Sequence, residues 1–175
     1  MKVLVTGGAG FVGSHVVDVL VELGHEVTVL DNLSTGSEKN VNPAAKLVID
    51  SAVRAKYVVR AHRAIIHCAA TADISDNWRM NNNRAALWFN NVTSLMELLE
   101  TASALHIKRF CFISTAAVYG GRHKHPVGTA DITNAESPYA ASKIAGEALV
   151  QAYGHRFGWK VSIPRLCFVG AEFFH

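Results

Sequence analysis

The stretch "VTGGAGFVGSH", Val5 to His15, sets four glycines among small residues, directly after an apolar run and directly before a segment with helical spacing. The run before it, "KVLVT" (2–6), is short, apolar and β-branched, the composition of a buried strand. A glycine pattern carries meaning in that strand-to-helix setting. Gly7 can take a tight turn, Gly10 lets the backbone approach a pyrophosphate, and Gly13 lets the helix pack against the strand. The start of the helix would add N–H donors and positive potential. A tight turn with no ligand is the alternative reading of the glycines alone.

Working outward, further apolar runs follow at "EVTVL" (26–30), "KLVI" (46–49), "AIIHCA" (64–69), "RFCFIST" (109–115) and "KVSIPRL" (160–166), which makes six predicted strands. Helical spacing falls between them at Val12–Leu23, weakly at 51–62, at Arg84–Ala104 and at Pro138–Phe157, and Gly24 is placed to close the first helix. Strands that are apolar throughout and alternate with helices need a parallel sheet covered on both faces. The predicted fold is a doubly wound α/β domain of the Rossmann type. With 175 residues, 50% of them hydrophobic, the chain suits one substantial core, and residues 1–175 are expected to form one domain. Residues 120–137 read as the one long loop.

Composition narrows the partner. The net charge of +3 comes from scattered Lys and Arg, which suits neither a nucleic-acid face nor a membrane-surface helix, so a small molecule is expected. No apolar run reaches the ~18 residues of a membrane span and no leader pattern follows Met1, so a cytoplasmic chain is expected. Cys68, Cys111 and Cys167 lack pairing or ligand spacing and read as reduced core thiols. His123 and His125 read as solvated loop residues rather than metal ligands, and His67 as a core histidine beside the ligand. Trp78, Trp88 and Trp159 are core or interface candidates, not a stacking platform.

Two signals reinforce the glycine turn. Asp31 ends the second strand, eighteen positions after Gly13, where a carboxylate accepts from ribose hydroxyls and repels a 2′-phosphate, favouring NAD over NADP. Alone, such an Asp can equally cap its loop, and Asp50 can serve the adenine end or simply face water. In "SPYAASK", Tyr139 and Lys143 stand four apart, on one face of a helix. A phenol titrates near ~10, and a neighbouring ammonium with an oxidised nicotinamide would lower that value toward use as a base. Lys143 could also hold the nicotinamide ribose. Thr115, at a strand end in "STAAVYG", can share a hydrogen bond with the substrate oxygen.

With these motifs in place, "TGGAGFVGSH" (6–15), "DNLSTG" (31–36), "IIHCAA" (65–70), "NNVTSLMELLETA" (90–102), "STAAVYG" (114–120) and "SPYAASKIAGE" (137–147), the chain resembles the N-terminal part of an extended short-chain dehydrogenase/reductase. It looks like a member of the NAD-dependent epimerase/dehydratase family, nearest to the UDP-galactose (UDP-glucose) 4-epimerase branch. The resemblance implies NAD binding by Gly7, Gly10, Phe11, Val12, Asp31, Asn32, Asp50, Ala69, Ala70, Asn91, Tyr139 and Lys143, and a catalytic set of Thr115, Tyr139 and Lys143. It also implies a nucleotide-sugar substrate, a UDP-hexose, and a homodimer formed through Arg84–Ala104 and Pro138–Phe157. Ala116 and Ala117 stand where sugar dehydratases carry acidic residues, which points away from dehydration.

The departures from the family pattern are specific. The resemblance leads one to expect the family's substrate domain to be largely absent from residues 1–175 and Phe168 to replace a substrate-holding asparagine, and both 51–63 and "SDNWRMNNN" depart from the usual pattern. Three functions therefore stand: an NAD-dependent nucleotide-sugar epimerase, a non-catalytic NAD-binding module, and an oxidoreductase for a small carbonyl compound.

Overall fold

The computed structural model of the chain describes residues 1–72, 84–121 and 126–167. Six strands form one parallel sheet: β1 (Lys2–Thr6), β2 (Glu26–Asp31), β3 (Lys46–Ile49), β4 (Ala64–His67), β5 (Arg109–Phe112) and β7 (Lys160–Ser162), in the order β3-β2-β1-β4-β5-β7. β6 (Ser114–Thr115) and β8 (Arg165–Leu166) pair with each other in a separate two-stranded sheet. The helices are α1 (Phe11–Glu22), α2 (Arg84–Trp88), α3 (Ser94–Ser103) and α4 (Pro138–Phe157).

The strands are apolar on both faces because both faces are covered. Along β1, Val3 and Val5 pack with Val17 of α1 and with Val27 and Val29 of β2. Leu4, between them, turns to the other side and joins Ile65, Phe110 and Phe112 with Leu95, Leu98 and Leu99 of α3 and Val150 of α4. Period-2 alternation thus separates two apolar sets rather than apolar from polar. The order reverses at β1, whose two neighbours are β2 and β4. In open α/β sheets that switch point opens a crevice at the carboxyl ends of the strands.

Several boundaries differ from the sequence reading. The run 109–115 is two strands, because the chain leaves the main sheet after Phe112 and Ser114 pairs with Arg165 instead. The run 160–166 divides likewise at Ile163 and Pro164, where a proline cannot donate to a ladder, and the Pro164 carbonyl accepts from the Ser114 N–H at 2.9 Å. Segment 51–62 forms two short 3₁₀ stretches, Ala52–Tyr57 and Val59–Ala61, instead of a helix. The expected helix 84–104 is interrupted by a wide π turn at Phe89–Thr93 between α2 and α3. Cys167 is exposed, at the end of a two-residue strand, and is not a core thiol; Cys68 and Cys111 are half-buried. His123, His125, Trp78 and Phe168 lie outside the described residues. Among the described residues, no helix is long and apolar enough to cross a membrane.

Candidate functional site

Three of the four glycines at the junction of β1 and α1 are there for two different reasons. Gly7 has φ +70°, and a Cβ there would fall 2.5 Å from the Ala69 nitrogen. At Gly13 a Cβ would fall 2.0 Å from the Gly7 carbonyl oxygen. Both are demanded by the protein's own packing. At Gly10 a Cβ would meet only the Gly7 oxygen, at 3.4 Å, an ordinary contact. Gly10 borders open space, so its lack of a side chain leaves room for something that is not protein. It is also the N-cap of α1 and offers no capping side chain, and the first N–H groups of a helix have no partner within it.

The loop after β2 folds back onto this turn. The Ala9 carbonyl accepts from the Ser37 N–H at 3.1 Å and the Asn40 Nδ2 at 3.0 Å. Asp31, buried at the end of β2, accepts the Ala9 N–H at Oδ2 (2.9 Å) and the Leu33 N–H at Oδ1 (2.8 Å). Two backbone donors orient the carboxylate, and each oxygen keeps a lone pair for a further donor.

A cleft opens above this point at the carboxyl ends of β1, β2 and β4. Seven residues singled out from the sequence line it: Gly7, Gly10, Asp31, Asn32, Asp50, Ala69 and Ala70. The fold adds Ser34, Thr35, Thr71, Asn90 and Ser94 to the lining. None of these five carries a signal of its own in the sequence: Ser34, Thr35, Asn90 and Ser94 lie within quoted motifs, and Thr71 directly follows one. Val12 and Gly13 stand in the first turn of α1 and outside the lining; so does Phe11, which is 44% exposed with its ring edge-on to His15.

Asn91 is buried behind the wall. Its Oδ1 accepts the Thr71 N–H at 2.7 Å, and its Nδ2 donates to the Thr71 carbonyl and to the Ser142 hydroxyl, both at 3.0 Å. Asn90 donates to the Thr71 hydroxyl at 3.1 Å. The π turn is what presents both neighbouring asparagines to one residue.

The second group gathers where the chain leaves β5. Three consecutive residues there meet three residues of α4. The Ile113 carbonyl accepts the Lys143 Nζ at 2.8 Å, the Ser114 hydroxyl donates to Glu147, and the Thr115 hydroxyl faces the Tyr139 phenol. Lys143 is 3% exposed, with Nζ 4.8 Å from the Phe112 ring centroid and 5.9 Å from that of Tyr139. Burial pulls its ammonium down to about 8, with Glu147 opposing. Burial raises the Tyr139 phenol above its ordinary value, and the Thr115 hydroxyl offsets part of that rise. The lowering expected from the sequence is that of the NAD complex, in which Lys143 and an oxidised nicotinamide act together.

His67 lies between the two groups and is fully buried. Its Nδ1 shares a 2.7 Å hydrogen bond with the Thr6 hydroxyl, and its ring stacks on Phe112 at 5.9 Å. Nε2 has no partner among the described residues. Burial, with Lys143 adding to it, lowers the imidazole to about 3, so the ring is neutral.

A cleft at a sheet switch point with a glycine turn and an oriented carboxylate, beside a buried Tyr-Lys-Thr cluster, can be compared with known proteins. The NAD dependent epimerase/dehydratase family model matches residues 3–173. The chain belongs to that family. It is 35% identical over 179 residues to a putative UDP-glucose 4-epimerase of Methanocaldococcus jannaschii, covering 97% of this chain and 56% of the relative. To the UDP-glucose 4-epimerase of Streptomyces lividans it is 36% identical, covering 98% and 53% respectively.

Among solved structures, the UDP-glucose 4-epimerase of Thermotoga maritima with UDP-glucose superposes with a TM-score of 0.87 at 34% identity, over 94% of this chain and 55% of that one. The Thermus thermophilus UDP-glucose 4-epimerase with NAD gives 0.87 at 32% identity, over 94% and 54%. The chain thus spans about half the length of the relatives it matches.

Proposed function

We propose that this chain is the NAD-binding half of a nucleotide-sugar epimerase acting on a UDP-hexose. The observation that carries the reading is the convergence of Thr115, Tyr139 and Lys143 beside the cleft that holds Gly10 and Asp31. The residues present fit a dinucleotide: the open side of Gly10 and the N-terminus of α1 suit a pyrophosphate, Asp31 suits ribose hydroxyls, and Asn32 and Asp50 flank the adenosine end. Phe11, Val12 and Gly13 would contribute through their backbone, and Ala69 and Ala70 through the cleft wall. NAD, when bound, supplies a reversible hydride acceptor.

The chain's own residues would then manage a proton and an orientation. Tyr139 takes the proton from a sugar hydroxyl, Thr115 shares a hydrogen bond with the same oxygen, and Lys143 favours the phenolate and holds the nicotinamide ribose. Asn91 braces Thr71 in the wall between the two halves of the site. Binding of the sugar nucleotide belongs to the further domain that the relatives' greater length accommodates. Trp88, Phe89 and Met96, exposed along α2, the π turn and α3, suit a homodimer face, and the assembly we propose is cytoplasmic. A second reading, an NAD-binding module without turnover, draws on the raised Tyr139 phenol of the chain by itself.

Mass spectrometry of small molecules released on denaturing the purified protein should recover NAD. Titration of the tyrosine Cζ signals by NMR, with Tyr139→Phe for assignment, should show the Tyr139 step moving below ~10 on adding NAD. A step that stays put at saturating NAD leaves only the binding module.

A further inference from the structure

The buried carboxylate of Glu147 has no part in the reading above, yet it touches every element that carries the cluster. Glu147 lies on α4, four residues beyond Lys143 and eight beyond Tyr139, and is 4% exposed. Arg165 of β8 grips it with two bonds, Nε to Oε1 at 2.9 Å and Nη2 to Oε2 at 2.6 Å. Ser114 of β6, the register partner of Arg165, donates to the same Oε1. The guanidinium also donates to the Tyr119 hydroxyl at 2.7 Å and lies 4.8 Å from the centroid of that ring. Tyr119 closes the 3₁₀ turn Ala116–Tyr119, which Thr115 caps through a 3.2 Å bond from the Ala117 N–H.

A sheet of two strands with two residues each cannot hold itself in place. The strand that presents Thr115 to Tyr139 is such a strand, and it has left the main sheet; Ile113, whose carbonyl accepts Lys143, directly precedes it. We infer that Glu147 and Arg165 are positioning residues: their bidentate pair clamps β6 and β8 to α4 and thereby sets Thr115 against Tyr139. The assignment rests on the proposed use of Tyr139 and Thr115, but its geometry is a property of the chain by itself. A planar guanidinium fork is suited to this task in a way that an ammonium is not.

The test is the Tyr139 titration in NAD-free protein, followed by NMR of the four tyrosine Cζ signals. Thr115→Ala calibrates the readout by removing the hydroxyl that holds the phenol down. Arg165→Lys keeps the charge and loses the fork. It should raise the Tyr139 titration in the same direction as Thr115→Ala, cutting the phenolate fraction at fixed alkaline pH by about threefold. Val150→Ala, a core truncation on the same helix, should lower the melting temperature and leave the Tyr139 curve in place.

If Arg165→Lys does not fold, Ser114→Ala supplies the answer, since it removes only one hydroxyl from the clamp. An Arg165→Lys or Ser114→Ala protein that melts early while Tyr139 titrates as in the parent would overturn the inference and leave the pair a stabilising contact. Failure of NAD to move the phenol would instead sink the proposed catalysis, and the two results are read in separate samples.

Discussion

The cleft around Gly10 and the cluster around Tyr139 are built from different material. The cleft is made of backbone and short side chains, supplied mostly by loops that follow the strands, and its buried carboxylate, Asp31, is held by N–H groups of Ala9 and Leu33. The cluster is made of long side chains, and its members come from 113–119, 139–147 and 165, joined only by tertiary packing. A backbone-built site tolerates changes in the side chains around it but not in the chain path. A side-chain-built site is the reverse: the path can hold while one lost partner detunes the chemistry.

Substitutions within the turn put that contrast to its most severe test. Gly13→Val drives a branched side chain into the Gly7 carbonyl, and should cost about 3 kcal/mol or more, leaving little folded protein by circular dichroism. Gly10→Val meets no such obstacle. It should fold with a melting temperature near the parent's and lose NAD affinity by on the order of 100-fold in calorimetry. Equal loss of fold at both positions would erase the distinction between packing glycine and ligand glycine.

A smaller effect is expected at Asp31. Asp31→Ala removes a ribose acceptor and a repulsion toward a 2′-phosphate, so the preference for NAD over NADP should shrink by about tenfold in competitive binding. An unchanged preference would place the discriminating group elsewhere.

The mildest test concerns pH. The His67 imidazole is held at about 3 in the folded chain against an ordinary value of 6.5. Because the folded value is the lower one, the unfolded chain takes up a proton first, and stability present above pH 6.5 is lost as the pH falls toward 3. For Glu147, burial opposes the carboxylate, but the bonds from Arg165 and Ser114 win and hold it below its ordinary 4.5, so its contribution is full above pH 4.5 and fades as the pH falls below that value. The melting temperature should therefore decline from near pH 6.5 downward, and His67→Gln should flatten the upper part of that slope. A parent whose melting temperature is constant from pH 6.5 to 5 would remove His67 from the account.

The contrast also explains what could be read from the sequence. Strands at 2–6, 26–31 and 46–49, α1 and α4 have local causes, namely apolar runs, a Ser-Pro start and glycine stops, and they stand where periodicity puts them. The seven cleft-lining residues were legible for the same reason, since each follows directly from its strand. The break after Phe112 was not, because "RFCFIST" is equally apolar on both sides of it and only the pairing with Arg165 ends the main sheet. The clamp was invisible in kind: Glu147 and Arg165 are separated by eighteen residues and a whole strand, and a lone Lys-x-x-x-Glu step on a helix looks like any surface pair until burial is known.

The wide turn at Phe89–Thr93 has a bearing on chain length. Each residue advances an α-helix by about 100°, so one residue fewer in this turn would let α2 run into α3 as regular helix while rotating Asn90 and Asn91 away from Thr71. The gain in regularity would undo the double grip that sets the cleft wall. The least regular part of the helix is therefore the part of it where an insertion or deletion is least tolerable.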